Sequence, residues 1–401
     1  MLVGKKIVLV VTGGIAAYKA VTLVRLLVKA QADVRVVMTK SACEFVTPKT
    51  FSVLTTHPVL TDLFTETTDP AIAHIELADW ADYMVVAPAS ANFIAKMALG
   101  VADDAASSVV IARHTGIAVA PAMNSNMYQN AAVQRNLAQL QSDGVSIMAP
   151  EQGMLAEGYA GVGRLAEPET LCAQINVLAN ADEQTLSGKH VVVTAGGTQE
   201  PIDPVRYIAN HSSGKMGYAF AQAAVEQGAQ VTLITTVDLT PPPFTTVVHV
   251  KTAQEMQNAL QRYYEAADLV IMAAAVADYR IAEPATQKMK KQQDTTALHL
   301  KLVENPDILA ELGAQKTHQY LVGFAAETQQ LLQHAQVKLE KKQADLLIAN
   351  DVSQTDIGFG SADNAVTLLF KNEAPVALPK MRKIEVARQV LQMIQLRMEE
   401  A

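Results

Sequence analysis

Cysteine is nearly absent from this chain: Cys43 and Cys172 are the only two in 401 residues. Without paired spacing they make neither a disulfide scaffold nor a zinc site, and a reducing compartment suits them. Positive charge is in deficit, with 32 Lys and Arg against 40 Asp and Glu and a formal net charge of −8. That balance argues against a nucleic-acid or anionic-membrane partner, so anionic substrates must be held by local donors. No apolar run is long enough for a bilayer; the most apolar internal stretch, 269–277, falls far short. The opening run 7–11 leads into Thr12-Gly13-Gly14 and lacks a signal-peptide cleavage region, so the expected location is the cytoplasm. Low-complexity tracts and short-period repeats are missing too.

Half of the residues are hydrophobic and 18% are charged, the composition of a well-packed protein with room for two or three domains. Two stretches echo each other: Ile7-Val8-Leu9-Val10-Val11-Thr12-Gly13-Gly14 and Val191-Val192-Val193-Thr194-Ala195-Gly196-Gly197. Each is a continuous apolar strand ending in glycines, the signature of a buried parallel strand that feeds a helix. A helix is expected over 17–30, with Val21, Val24 and Val28 inward and Arg25 and Lys29 outward. Further strands are expected at 33–38, 83–87 and 117–120. The pattern restarts near 230–235, 269–274, 320–324 and 345–349, with helices at 253–266 and 328–342. This alternation predicts an α/β chain of two doubly wound, mostly parallel-sheet domains, 1–180 and 188–401, joined by a polar linker at 181–187. A long polar stretch, 283–296, interrupts the second domain and holds Lys288, Lys290 and Lys291.

The richest segment is Tyr207-Ile208-Ala209-Asn210-His211-Ser212-Ser213-Gly214-Lys215-Met216-Gly217. A polar loop running into a Gly-Lys-Met-Gly helix start is suited to an anion, because helix N-terminal amides attract negative charge and glycine permits close approach. It is not a Walker A loop, which needs Gly where Ala209 stands and Ser or Thr where Met216 stands. Gly13-Gly14 likewise opens a helix without the spacing of dinucleotide folds; by itself it is equally a tight turn or a phosphate site. Ala87-Pro88-Ala89-Ser90-Ala91-Asn92 and Ala120-Pro121-Ala122-Met123-Asn124 both fall at C-terminal ends of expected parallel strands, the edge where open α/β sheets take ligands.

These motifs resemble the bifunctional flavoproteins of coenzyme A biosynthesis. Asn210 to Lys215 and Ala274-Ala275-Val276-Ala277-Asp278-Tyr279 are similar to the phosphopantothenate–cysteine ligase half. The glycine loop and the two Pro-containing strand ends are similar to the phosphopantothenoylcysteine decarboxylase half. The resemblance covers nearly the whole chain. It implies a flavodoxin-like flavoprotein domain followed by a Rossmann-like ligase domain. It also implies FMN at Gly13, Gly14, Thr39, Ser90 and Asn92, across a subunit boundary. His74 and Asn124 match the active-site histidine and the residue that grips the substrate carboxylate. In the second half Asn210 matches the residue that stabilises the acyl-cytidylate, and Lys288 a catalytic loop lysine. His211, Ser212, Ser213 and Gly214 would add donors, with Gly196 and Gly197 near phosphate. Asp278, Pro306, Asp307, Ile308, Leu309, Phe324, Lys338 and Lys342 match the CTP-contacting positions. The implied substrates are 4′-phosphopantothenate, cysteine and CTP with Mg²⁺, whose protein ligands stay unassigned. The implied assembly is a homo-oligomer of flavodomain trimers and ligase-domain dimers, a dodecamer among its closed forms.

Taken singly, His74 is a structural histidine, Phe324 a core residue, and the lysines a solvated loop and a surface face. One departure stands out. Gly153-Met154-Leu155-Ala156-Glu157-Gly158-Tyr159 matches the family's flap, in which many members carry a cysteine where Glu157 stands. That cysteine protonates the enethiolate left by CO₂ loss. Glu157 is expected to replace it as the acid, with burial beneath the flap raising its pKa from about 4.3. Two alternatives stay open: a working ligase beside a first half that stops at the enethiol, and a flavodomain acting as a regulatory binding module.

Overall fold

The structure, a computed structural model, describes residues 2–64, 73–181, 184–290, 298–327, 331–351 and 360–400. Two compact units divide the chain, Met1–Asp182 and Glu183–Ala401. In the first, five strands form one parallel sheet: β1 (Lys6–Val11), β2 (Asp33–Met38), β3 (Tyr83–Ala89), β4 (Gly116–Pro121) and β5 (Ser146–Ile147). Their spatial order is β2-β1-β3-β4-β5. Ile7, Leu9 and Val11 of β1 enter one core, while Val8 and Val10 enter the other. Burial on both faces is why the run is unbroken rather than alternating, and each side chain so buried contributes about 1.5–3 kcal/mol.

The helix Ala17–Lys29 covers one face with Ala17, Ala20, Leu23, Val24 and Leu27. Val28, expected inward, is exposed. The helical period runs through 20, 23, 24 and 27 and turns 28 away. Two more strands, β6 (Glu151–Met154) and β7 (Ala160–Arg164), form an antiparallel hairpin.

The second unit begins with β8 (His190–Ala195), the short antiparallel pair β9 (Gln199–Pro201) and β10 (Tyr207–Ala209), then β11 (Gln230–Thr235) and β12 (Thr245–His249). After β13 (Leu269–Met272) comes a second short pair, β14 (Tyr279–Ile281) and β15 (Leu302–Glu304). The chain then forms β16 (Tyr320–Glu327), β17 (Leu346–Asp351), β18 (Asp363–Phe370) and β19 (Val376–Arg382). Eight of these make one sheet in the order β12-β11-β8-β13-β16-β17-β18-β19. It is parallel from β12 to β17, and β18 and β19 add antiparallel.

Neither β12 nor the β18–β19 hairpin and its following helix, Lys383–Glu400, is anticipated by the apolar-run reading. β12 and β19 are mostly half-buried or exposed and carry no continuous apolar signal. The helix expected at 253–266 spans Ala253–Tyr264 and opens on a capping box of Thr252 and Glu255. That expected at 328–342 is described over Leu331–Lys341; 328–330 lie outside the described residues, as do Lys291 and the rest of 291–297. Among the described residues no helix is long and apolar enough to cross a membrane.

Both parallel sheets have a point where the strand order reverses. It lies between β1 and β3 in the first and between β8 and β13 in the second. Ligands of open α/β sheets bind in the crevice such a reversal opens at the strands' carboxyl ends.

Candidate functional site

In the second unit the loops after β8 and β13 are stitched together across this crevice. Ala274 N donates to Thr194 Oγ1 at 3.1 Å, Ala275 N to Gly196 O at 2.8 Å and Ala277 N to Thr198 Oγ1 at 2.9 Å. Both threonines are fully buried. Gly197 sits beneath Asn210: a Cβ there would lie 2.6 Å from the Asn210 carbonyl oxygen. Gly214 has φ +74 and opens the helix Lys215–Glu226, which packs so near β8 that a Cβ on Gly217 would lie 2.6 Å from Thr194 O. The Asn210 amide is steadied by Nδ2 donation to Val276 O at 3.1 Å.

These contacts frame a cavity of about 830 Å³, within the usual range for a small-molecule site. Asn210, His211, Ser212, Ser213, Gly214, Asp278, Pro306, Asp307, Ile308, Leu309, Phe324, Lys338 and Lys342 all line it. Asn305 binds the β13 loop, donating from Nδ2 to Ala277 O and from its backbone to Asp278 O, each at 2.8 Å. Asp307 accepts from Ala310 N at 3.2 Å as the cap of the helix Ile308–Gln315, and its other oxygen pairs with Lys342. Phe324 meets Phe220 edge-on, ring centres 5.8 Å apart, so it is half core and half cavity lining.

In the first unit buried Thr12 joins the two loops at the reversal. Its hydroxyl donates to Pro88 O at 2.7 Å and accepts from Ser90 N at 2.9 Å. Ser90 and Thr39 each cap a helix start with the side-chain oxygen, leaving the hydroxyl proton to donate elsewhere. Asn92 is exposed. A Cβ on Gly13 would strike Ser41 at 2.4 Å, whereas one on Gly14 would enter open space. Exposed Ile15 and Tyr18 flank that open backbone. A bare glycine amide, two hydroxyls and an apolar rim fit a phosphorylated planar cofactor.

Asn124 stands at the end of β4 and caps the helix Ser125–Gln129, accepting from Asn126 N at 2.8 Å. Its Nδ2 donates to Glu157 Oε1 at 2.9 Å and to Tyr159 Oη at 2.5 Å. Glu157 and Tyr159 belong to the turn between β6 and β7, so the hairpin tip folds back onto Asn124. The hairpin base is fastened nearby: Met123 N donates to Gly163 O at 2.9 Å and Ser125 Oγ to Val162 O at 2.7 Å. Gly163 has φ +135, and a Cβ there would lie 2.3 Å from Met123 O.

Residues 1–180 match the Flavoprotein family, and residues 186–397 match the family described as DNA/pantothenate metabolism flavoprotein C-terminal domain. The Coenzyme A biosynthesis bifunctional protein CoaBC of Bacillus subtilis (strain 168) is 47% identical over 397 residues, which is 98% of this chain and 97% of that protein. The chain belongs to this family. The CoaBC protein of Escherichia coli (strain K12) is 46% identical over 385 residues, 95% of this chain and 94% of that protein. A crystal structure of the C-terminal domain of a CoaBC protein is 40% identical, covering 54% of this chain and all of that one, with a TM-score of 0.47.

Three sequence-predicted residues of the second unit stand apart from the cavity. Gly196 and Gly197 are not in its lining; they let the Thr236 and Asn210 segments approach. Lys288 is exposed on the irregular stretch after β14 and also lies outside it. The neighbouring backbone is anchored, since Met289 N donates to Asp203 Oδ2 at 3.1 Å and Arg206 donates to Met289 O at 3.0 Å. Asp203 is buried, and Arg206 first and backbone amides second hold its carboxyl far below the usual carboxylate range. His74 is half-buried in the first turn of the helix Ala73–Trp80, and among the described residues no hydrogen bond joins it to the hairpin tip.

Glu157 departs from the expectation of a buried acid. It is exposed, and the Asn124 amide, followed by a backbone amide, pulls its carboxyl below its usual value. Sequence reasoning also passed over Thr12, Tyr159, Asn305, Lys215 and Lys383. The first four lie within or beside motifs already singled out, but Lys383 has no local signal at all.

The fastening of the hairpin yields one prediction. Gly163→Ala combines a disfavoured φ with a clash against Met123 O and will destabilise the first unit by about 1–3 kcal/mol. Decarboxylation will fall with it while ligation persists. An unchanged melting curve and unchanged CO₂ release would show that the hairpin base tolerates displacement.

Proposed function

We propose that the carboxyl-terminal unit joins 4′-phosphopantothenate to cysteine with CTP, and that the amino-terminal unit decarboxylates the resulting 4′-phosphopantothenoylcysteine to 4′-phosphopantetheine. The chain is a bifunctional enzyme of coenzyme A biosynthesis, a flavoprotein decarboxylase fused to a ligase. The observation that carries the ligase reading is one cavity lined by Asn210, the 273–278 loop, Lys338 and Lys342.

A carboxylate accepts an amine only after one of its oxygens becomes a leaving group. Attack of that oxygen on the α-phosphorus of CTP forms the O–P bond and expels pyrophosphate, giving an acyl-cytidylate. The cysteine amine then attacks the carbonyl carbon and expels CMP. Asn210 donates to the oxygen on which charge gathers, with His211, Ser212, Ser213 and Gly214 adding donors. Asp278 and residues 306–309 take the nucleotide beside Phe324. Lys338 and Lys342 offset phosphate charge, with Lys288 adding a third positive charge. Mg²⁺ arrives on the triphosphate. Among the described residues no three His, Cys, Asp or Glu side chains gather to hold an ion, and phosphate oxygens are its natural ligands.

The cofactor of the first half is FMN, which when bound supplies the two-electron oxidation of the substrate thiol that gives the carbanion from CO₂ loss a place for its charge. Gly13, Gly14, Thr39, Ser90 and Asn92 would hold it. His74 takes the thiol proton, and Asn124 holds the carboxylate with a neutral amide, which does not tie the departing CO₂ in an ion pair. Glu157 is the acid. The substrate carboxylate takes the Asn124 amide only until CO₂ leaves; the enethiolate that follows is itself an anion, and its charge near Glu157 raises the pKa of that carboxyl. The decarboxylated intermediate thus readies the acid that protonates it. Free Cys43 and Cys172 suit the cytoplasm, and the assembly in this reading is a homo-oligomer, measurable by light scattering.

The test supplies the full chain with CTP, Mg²⁺, 4′-phosphopantothenate and cysteine, and separately with phosphopantothenoylcysteine without oxygen. CMP, pyrophosphate and a product that has lost only CO₂ are expected. Failure to consume CTP would overturn the ligase reading. CO₂ loss with the flavin left reduced would overturn the acid role of Glu157, as would full turnover by Glu157→Gln.

A further inference from the structure

Part of the carboxyl-terminal cavity is lined by two lysines that the scheme above leaves idle. Lys215 and Lys383 are each the first residue of a helix, Lys215–Glu226 and Lys383–Glu400, and both line the cavity. Their ammonium groups converge on one stretch of backbone. Lys215 Nζ donates to Gly360 O at 2.6 Å, and Lys383 Nζ to Ser361 O at 2.5 Å and Asp363 O at 3.3 Å. Lys383 is only 9% exposed.

Among the described residues, several shielded lysines are paired with carboxylates: Lys19 with Glu167, Lys96 with Asp103 and Asp104, Lys316 with Asp345 and Lys342 with Asp307. Among the described residues neither Lys215 nor Lys383 has such a partner. Carbonyl dipoles solvate an ammonium without cancelling its charge. Burial, and then the charge of Lys215, lower the Lys383 pKa, while the charge of Asp363 opposes them without cancelling them. Two ammonium groups with no carboxylate in ion-pair contact among the described residues, at the edge of a nucleotide-sized cavity, suit a multiply charged anion.

We propose that Lys215 and Lys383 seat the terminal phosphates of the nucleoside triphosphate and hold them as the pyrophosphate leaving group. The inference rests on the ligase reading. When the carboxylate oxygen bonds to the α-phosphorus, the bond from that phosphorus to the bridging oxygen breaks and its electron pair stays with the β-phosphate. Negative charge grows on pyrophosphate at that moment, and two ammonium groups, that of Lys383 buried, stabilise it. The phosphomonoester of 4′-phosphopantothenate shares this chemistry, so the experiment separates the two.

Binding of inorganic tripolyphosphate to the full chain is measured by calorimetry for wild type, Lys383→Gln, Lys383→Arg and Lys215→Gln, alongside steady-state ligation. Lys383→Gln and Lys215→Gln should each weaken tripolyphosphate binding and raise the KM for CTP roughly tenfold or more, leaving the KM for 4′-phosphopantothenate in place. Lys383→Arg keeps the charge and should retain most of the binding. A rise in the KM for 4′-phosphopantothenate alone would give the seat to that substrate's phosphate and overturn the assignment. Unchanged tripolyphosphate binding in Lys215→Gln, whose lysine is exposed and dispensable for packing, would show the lysines to be a backbone clamp only. Tripolyphosphate binding by a wild type that does not consume CTP would keep the seat and discard the ligase reading instead.

Discussion

Asn210→Ala will lower ligation about 10²- to 10³-fold and leave decarboxylation of supplied phosphopantothenoylcysteine unchanged. The size follows from what the amide faces. Acyl transfer gathers negative charge on oxygens of the mixed anhydride, and a donor fixed in advance stabilises that charge without reorganising. Asn210 is fixed from two sides, by donation to Val276 O and by its backbone lying over Gly197. Gly197→Ala should therefore reproduce part of the loss without touching the amide, because a Cβ 2.6 Å from Asn210 O must push the residue aside. Pyrophosphate release read against CTP concentration separates the effects: the loss belongs in kcat. A rate for Asn210→Ala within a few-fold of wild type would remove the amide from the chemistry.

Asn124→Ala will abolish most CO₂ release, by about 10²-fold or more, with ligation intact. One side chain here does three jobs. Its oxygen caps the helix Ser125–Gln129, and its amide binds both Glu157 and Tyr159. In the proposed cycle the same amide receives the substrate carboxylate. Asn124→Asp is the sharper variant, because it keeps the cap and the shape while setting a carboxylate against the substrate's own. Its loss should exceed that of the alanine variant. Equal CO₂ release from all three proteins would show that the carboxylate is held elsewhere.

The Asn124–Glu157 contact also carries a pH signature. The folded pKa of Glu157 is lowered, so the contact is fully present above the ordinary carboxylate range and is lost as pH falls through the folded value. Hydrogen exchange at the hairpin tip should change only through its intrinsic pH dependence from pH 8 to about 5, then show lost protection below about 4. Loss of protection near neutrality would point to a raised pKa in the free enzyme.

Much of this was legible in the chain because it is local. Ile7 to Val11 and Val191 to Ala195 read as buried parallel strands, since burial on both faces forces a continuous apolar run. The glycines that follow mark where backbone must turn or be approached. The motif around Asn210, the 306–309 segment, Phe324, Lys338 and Lys342 lie far apart in sequence yet line one cavity. Other features left no such trace. Val28 looked like core until the helix phase turned it outward. β12 and β19 lack an apolar run because each is paired along one side only, and sheet edges need little burial.

The sequence by itself determined the fold class, the parallel strands around each glycine loop and the family, because strand burial, turn chemistry and motif order are written in neighbouring residues. Only the tertiary structure decided which charges meet. It drew Glu157 out to the Asn124 amide, where an exposed carboxylate with a donor stays ionised. It kept Lys288 outside the cavity and brought Lys383, the start of a C-terminal helix with no motif around it, alongside Lys215. Electrostatic environment depends on distance, burial and the company of charges, and none of these is a property of a residue's neighbours along the chain.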